Sequence, residues 1–290
     1  MKITRSSLLH LRIPFAFFLM PVYLLALVTT PGFIASRAAI AFIAVHLFMY
    51  PGSSGFNAYY DRDTGSIGML EHPPAVTADL LRLSLFMKVS AVIVALFSGP
   101  AMAIGCLLYG VVSILYSWDR VRLKKYPVIG WLLTGTGQGF ILFFAIVATI
   151  APEGTPVLTP EIMGAGGSMA LMMLAASPLL EIFQHEEDAK RGDLTISRLL
   201  GVQGTLLFSG VLFTIAATAL FIIVTIAEGT VKALLLPIAF LPGIVLFVRL
   251  FINVRVRGAF PAYRSIMPVM IAASIGLNGF LGVLLLLRRF

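Results

Sequence analysis

The chain has 290 residues, of which 59% are hydrophobic and only 12% charged, with a mean hydropathy of +0.99. Soluble domains carry about 25% charged residues, so this composition excludes a water-soluble domain and leaves an all-α integral membrane protein. The net charge of +8 is read as loop charge of a multi-pass protein, because cytoplasmic loops collect Lys and Arg; the expected partner is the lipid bilayer, and no nucleic acid is expected.

Basic residues precede a long apolar run at the N-terminus, "MKITRSSLLHLRIPFAFFLM". A secretory signal begins this way, but the length of the run and the spans that follow predict a first transmembrane helix that stays attached. About nine spans are predicted in a single bundle forming one domain over residues 1–290, near residues 13–30, 38–56, 83–99, 101–117, 127–150, 162–183, 202–227, 231–252 and 266–287. Runs of about 20 apolar residues are what a bilayer crossing requires. Only "SGP" separates the third span from the fourth, which predicts a tight hairpin. Cys106 is the sole cysteine, so no intrachain disulfide forms.

Charge placement orients the spans. With the N-terminus inside, the cytoplasmic face holds Lys2, Arg5, Arg12, Arg62, Arg82, Arg120, Arg122, Lys124, Lys125, Lys190, Arg191, Arg198, Arg249, Arg255, Arg257 and Arg264. The other face has Arg37, Lys232, Arg288 and Arg289, and Lys88 falls inside a span, where snorkelling or pairing with an acid is expected. The bias predicts a cytoplasmic N-terminus and cytoplasmic loops after even-numbered spans. Asp61, Asp63, Glu71, Asp79, Asp119, Glu186, Glu187, Asp188 and Asp193 crowd the same face, whereas Glu153, Glu161 and Glu228 lie opposite. Acids contribute little to topology, so their crowding asks for another cause, such as a polar reaction site.

Two clusters stand out. Asn57 and Asp61 in "NAYYDRDTGSIG" are spaced i, i+4; Glu181, Gln184 and Asp188 in "EIFQHEEDAKRGD" are spaced i, i+3, i+7. Each set shares one helical face at the cytoplasmic end of an even-numbered span. Between them "YSWDRVRLKK" supplies Arg120, Arg122, Lys124 and Lys125. Magnesium takes hard oxygen ligands, often one or two carboxylates plus substrate phosphates, and Arg and Lys neutralise remaining phosphate charge. A Mg²⁺–diphosphate site fits this pattern; so does an ordinary charged cytoplasmic loop, and spacing alone leaves both open.

Taken together the motifs resemble the UbiA superfamily of intramembrane prenyltransferases. Its first motif, N-D-x-x-D-x-x-x-D, corresponds to Asn57, Asp61 and Gly65, with Asp63 between the last two and Gly68 following. A Y-S-x-x-x-x-R-L-K pattern is matched by Tyr116, Ser117, Arg122, Leu123 and Lys124. The second acidic motif, D-x-x-x-D-x-x-x-G-x-x-T, looks like Gln184, Asp188, Gly192 and Thr195. The resemblance implies an Mg²⁺-dependent transferase moving a prenyl group from an isoprenoid diphosphate to a lipophilic acceptor, an aromatic or quinone precursor in much of the family. It implies metal ligation by Asn57, Asp61 and Asp188, with Gln184 and Asp63 as further ligands, catalysis by Asp61, Asp188, Arg122 and Lys124, and diphosphate contacts from Arg62 and Tyr116 beside Asn57 and Gln184. Ala58, Gly65 and Gln184 depart from the pattern where acids are usual. A relative that binds an isoprenoid lipid without transferring it is therefore the alternative reading, and a transporter, since carboxylates near broken helices also couple ions, is the third.

Other residues carry two readings each. His46, Tyr50, Asn57 and Asp61 fall near one helical face, and "PGSSG" at 51–55 is expected to interrupt that helix. His46 is an acceptor-site candidate or a packing histidine. Glu71 and His72 belong to a lid or a wet loop. Tyr59, Tyr60 and Tyr116 face a cation or simply mark the interface. "GAGGSM" at 164–169 predicts close helix packing.

Overall fold

The computed structural model describes residues 3–288; Lys2 and Arg289, used in the charge argument, lie outside them. Among the described residues nine helices are long and apolar enough to cross a membrane, so the expected all-α membrane architecture is the one found. They are α1 Arg5–Thr29, α2 Ala35–Asp61, α3 Asp79–Ser98, α4 Pro100–Ser117, α5 Pro127–Ile150, α6 Pro160–Ile182, α7 Ile196–Glu228, α8 Thr230–Arg257 and α9 Tyr263–Leu287. A short helix, His185–Arg191, lies between α6 and α7. The predicted hairpin between α3 and α4 turns at Gly99, whose φ of 154° suits glycine.

Neighbours in sequence pack as neighbours in space: α2 on α3, α3 on α4, α4 on α5, α6 along α7 and α8 along α9. Contacts of α1 with α5, α6 and α9 close the bundle. Two-thirds (67%) of the apolar window is buried in α2 and α6 but only 22% in α7 and α8. Thus α2 and α6 form the centre, and α7 and α8 turn most of their surface outward to lipid. Lipid tails are as apolar as Leu, so such helices associate through close packing at small residues. A Cβ added at Gly139 of α5 would stand 2.5 Å from the Ala170 Cα of α6, and one at Gly166 would stand 2.7 Å from the Phe144 ring. The "GAGGSM" stretch therefore does serve close packing.

Two boundaries and one break differ from expectation. α1 starts earlier than predicted because Thr4 caps it, accepting from the Ser7 N–H, while the Thr4 N–H donates to Asp79 Oδ2 at 3.0 Å. α7 starts earlier because Thr195 accepts from the Arg198 N–H. "PGSSG" does not interrupt α2: Tyr50–Asp61 is regular α-helix, and the irregularity is a π-helical stretch just before it, Ile43–Met49. Proline lacks an N–H and crowds the preceding turn; a wider turn ahead of Pro51 accommodates both defects. The glycines instead admit α3, since a Cβ at Gly52 would lie 3.0 Å from the Ser84 carbonyl oxygen.

Candidate active site

Three polar segments meet at one end of the bundle: the end of α2, the turn after α4 and the short helix after α6. Their charged side chains form one network around Asp61, Asp193 and Asp188, which are 6%, 1% and 2% exposed.

Asp61 is the hub. It is the last residue of regular α2, after which Arg62 takes a left-handed conformation (φ 49°). Its Oδ2 accepts from Asn57 Nδ2 at 2.6 Å, one turn back on the same helix. Lys124 Nζ donates to both Asp61 oxygens at 2.6 Å, and Arg122 Nη2 donates to Oδ1 at 3.0 Å. Asn57 Oδ1 in turn accepts from Ser117 Oγ at 3.0 Å, joining α2 to α4.

Arg122 holds two buried acids, Asp61 and Asp193, and through Nη1 also the exposed Asp119 at 3.2 Å. It too sits at a left-handed residue (φ 45°), which turns the chain after α4 back over the bundle. Its Nε and Nη2 donate to Asp193 Oδ1 and Oδ2 at 2.8 and 2.7 Å, a forked pairing that matches guanidinium to carboxylate. Burial works against its charge, but Asp193 and Asp61 raise the pKa above the ordinary guanidinium value. Lys124 follows in a 3-10 turn, Leu123–Lys125.

The short helix brings the last members. Arg191 Nη2 donates to Asp188 Oδ1 at 2.8 Å, and its Nη1 reaches Asp63 Oδ1 at 2.5 Å and the Asp61 carbonyl at 3.0 Å. Burial pushes the Asp188 pKa up to about 6 against the pull of Lys124 and Arg191. Burial and the neighbouring Asp61 also raise that of Asp63, with Arg191 opposing. Glu181, Gln184 and Asp188 do not share one continuous helix as their spacing suggested. α6 ends at Ile182, and Gln184 (φ −102°, ψ 0°) begins the short helix. All three nevertheless line the same cavity.

That cavity measures about 1020 Å³. Asn57, Asp61, Lys124, Gln184 and Asp188 line its polar end, with Tyr116 beside them, and Leu236, Phe240 and Leu277 line its apolar depth between α8 and α9. Small-molecule sites run roughly 300–1,000 Å³, so there is room for a long lipid.

Three predicted residues are off the cavity wall: Arg122, which stands behind Asp61 in the network, Arg62 and Asp63. Arg62 is exposed and stacks on the Tyr59 ring at 5.7 Å; the left-handed turn at this residue directs it away from the cavity, so it is not placed for the diphosphate contact expected of it. Asp63 is buried against Arg191 and does not line the cavity. Of the looser candidates, His46 packs among Phe42, Tyr23 and Tyr50 at 4.6, 5.6 and 5.3 Å between ring centres. It is absent from the cavity wall, so its surroundings match the packing reading. His72 is exposed, and Glu71 pairs with Arg264 at 2.6 Å. Lys88 neither snorkels nor meets an acid: it is 5% exposed and bonded to two serines.

The motif reading passed over three residues that matter here. Asp193 and Arg191 lie within and just before "GDLT", so the second motif held a usable signal. Arg12, which lines the cavity from a left-handed kink in α1, gave no signal beyond being basic.

Magnesium fits this donor set in one way only. Among the described residues no group of three or more His, Cys, Asp or Glu is placed to hold a metal, so there is no preformed cage. Asp61, Asp188 and the amide oxygens of Asn57 and Gln184 are hard donors at one cavity end. That suits an ion which keeps waters and substrate phosphates as its other ligands.

Among curated proteins none matches this chain. Solved structures do. A UbiA homologue from Aeropyrum pernix K1 superposes with a TM-score of 0.69 at 15% identity, over 96% of this chain and 99% of that one. A UbiA homologue from Archaeoglobus fulgidus, bound to DMAPP and Mg²⁺, gives 0.67 at 16% identity, over 97% and 99%. The same homologue bound to GPP and Mg²⁺ gives 0.65 at 16% identity with the same coverage. At such identities the likeness concerns the fold. The family model decides more: the description "UbiA prenyltransferase family" matches residues 18–275, and the chain belongs to that family.

Proposed function

We propose that the protein transfers a prenyl group from an isoprenoid diphosphate to a lipophilic acceptor within the membrane, with Mg²⁺. The observation that carries this reading is one cavity leading from the Asp61–Lys124–Asp188 end to an apolar depth, the shape required by a molecule with a charged head and a lipid tail. The metal–diphosphate relatives described above support the donor class. Bound Mg²⁺ would polarise the diphosphate oxygens and stabilise the charge that develops as the C–O bond breaks.

The chain's own residues divide the remaining work. Asn57, Asp61, Gln184 and Asp188 would hold the ion. Lys124 and Arg122, engaged with Asp61 in this structure, are the cations that would turn to the diphosphate, and positive charge aimed at the leaving group favours departure. The bonding pair leaves with the diphosphate. The allylic carbon then forms a bond to an acceptor carbon, which gives up a proton. The wall also includes Tyr109 and Tyr116, whose rings would favour a cation and help to exclude water. Positive-inside charge supports placing this end in the cytoplasm.

A second reading has an observation behind it as well. Asp61, Asp63, Asp188 and Asp193 are each already paired with Arg or Lys, and Ala58, Gly65 and Gln184 reduce the acid supply. Such a site suits a protein that binds isoprenoid diphosphates without cleaving them. Pyrophosphate release from geranyl, farnesyl and geranylgeranyl diphosphates, with and without Mg²⁺ and with a membrane-extract acceptor mixture, separates the two. Release that requires Mg²⁺ and is abolished in Asp61→Asn supports transfer; Mg²⁺-dependent binding with no release from any donor replaces it with the second reading.

A further inference from the structure

Lys88 is a charged residue in the middle of α3, 5% exposed, and it makes no ion pair among the described residues. Its Nζ donates to Ser53 Oγ at 3.0 Å and to Ser113 Oγ at 2.7 Å, and it stands 5.3 Å from the centre of the Phe56 ring. A buried charge lacking its opposite is costly, and within a membrane such a residue signals function by default. Lys88 itself is not on the cavity wall, whereas Ser53 and Ser113 are.

Both serine oxygens already accept from the ammonium, so their hydroxyl hydrogens point elsewhere. That of Ser53 has the Met49 sulfur at 4.0 Å and the Tyr109 hydroxyl within reach, whereas that of Ser113 has no acceptor among the described residues. Two hydroxyl donors polarised by a cation behind them recognise an oxygen that is negative or strongly polarised, and it would also supply the charge that Lys88 lacks. Tyr109 and Gln138 stand on the same wall, and Gln138 is carried by a π-helical stretch of α5, Thr136–Ile141, an irregularity frequent at functional sites.

Position tells which substrate this oxygen belongs to. Asn57 and Ser117 join the same two helices one turn nearer the charged network. Ser53 lies eight residues before Asp61 on regular helix, a rise of about 12 Å. A diphosphate centred on Asp61 has its own partners in Asn57, Lys124 and Asp188 and lies about two turns from Ser53, so an acceptor lying between the two levels can present a carbon to the diphosphate end and an oxygen to the serines. We propose that Ser53 and Ser113, backed by Lys88, form the subsite for a carboxylate or carbonyl oxygen of the acceptor. This rests on the transfer reading for its biological meaning but not for its test.

The test is binding of three probes, 4-hydroxybenzoate, 4-hydroxybenzamide and phenol, to the purified full-length protein by titration calorimetry, with geranyl diphosphate plus Mg²⁺ as an independent ligand. Wild type should prefer the benzoate, then the amide, then phenol. Ser53→Ala with Ser113→Ala should weaken benzoate binding about 10–100-fold, the range for lost hydrogen bonds to a charged group, and leave phenol and geranyl diphosphate unchanged. Lys88→Met should weaken benzoate binding selectively as well, and the serine pair serves in its place if that variant does not fold. No preference in wild type, an equal loss for benzoate and phenol, or a loss of geranyl diphosphate affinity in the variants would overturn the subsite. Failure of geranyl diphosphate to bind wild type would instead count against the donor reading alone.

Discussion

Arg122 and Arg62 are both arginines in left-handed turns after even-numbered helices, yet they have opposite surroundings. Arg122 joins Asp193 to Asp61 in a buried fork; Arg62 lies on the surface over Tyr59. Removing one partner of a buried ion pair leaves the other uncompensated, at a cost of about 3–5 kcal/mol. Arg122→Ala should therefore lower unfolding stability in detergent by about that much and abolish Mg²⁺-dependent pyrophosphate release. Arg62→Ala should change stability by less than about 0.5 kcal/mol, as exposed substitutions do, and leave release intact. Asp188 gives a pH signature. Its pKa is raised to about 6 by burial, so a proton competes with the metal below that value. Mg²⁺ affinity should fall by about tenfold for each pH unit well below 6, and rise to a plateau above it. Calorimetric titration at pH 5 and pH 7 measures this, and Asp188→Asn should flatten the dependence.

At the level of elements, what could be read in the sequence was whatever depends on composition and period. Nine spans and the three charged segments follow from apolar run length and i, i+4 spacing. Features that depend on a partner could not be read. The π-helical turn ahead of Pro51 and the left-handed turn at Arg62 are set by what the chain must pack against, and a single sequence shows neither. The same holds for the break at Phe183–Gln184: spacing predicted one face, and a turn between two helices brings the three residues to one cavity instead. Lys88 shows the limit most directly, because only the fold puts Ser53 and Ser113 beside it. Glycines divide by the same criterion. Gly139 faces the Ala170 backbone at 2.5 Å from a built Cβ, whereas Gly167, on the other side of the contact, has nothing within 4 Å. Gly139→Leu should cost about 1–3 kcal/mol, or more, through overpacking of α5 on α6. Gly167→Ala should be neutral or stabilise by up to about 1 kcal/mol, since alanine is the better helix former. Thermal unfolding of the two variants in one detergent makes the comparison.

Across the whole molecule, the two ends of the bundle have different electrostatic character, and this yields a test of orientation. One end carries Asp61, Asp63, Asp119, Asp188 and Asp193 against Arg122, Lys124 and Arg191, with Arg12 on the cavity wall nearby. The other carries Glu228 bridged by Lys232 and Arg288, a compact triad next to the end of α9. Loop Lys and Arg concentrate at the first end, and the positive-inside bias predicts that this end faces the cytoplasm. Cys106 is the sole cysteine and is fully buried, so a background lacking it is easily made. In Cys106→Ala, Glu186→Cys would place a thiol at an exposed position beside the charged network, and Glu153→Cys at an exposed position on the opposite face. A membrane-impermeant maleimide added to intact cells should label the Glu153→Cys protein at once and the Glu186→Cys protein only after permeabilisation. The reverse pattern would put the charged network outside. A water-soluble diphosphate made in the cytoplasm would then have no route to Asp61, and the transfer reading would have to give way together with the orientation.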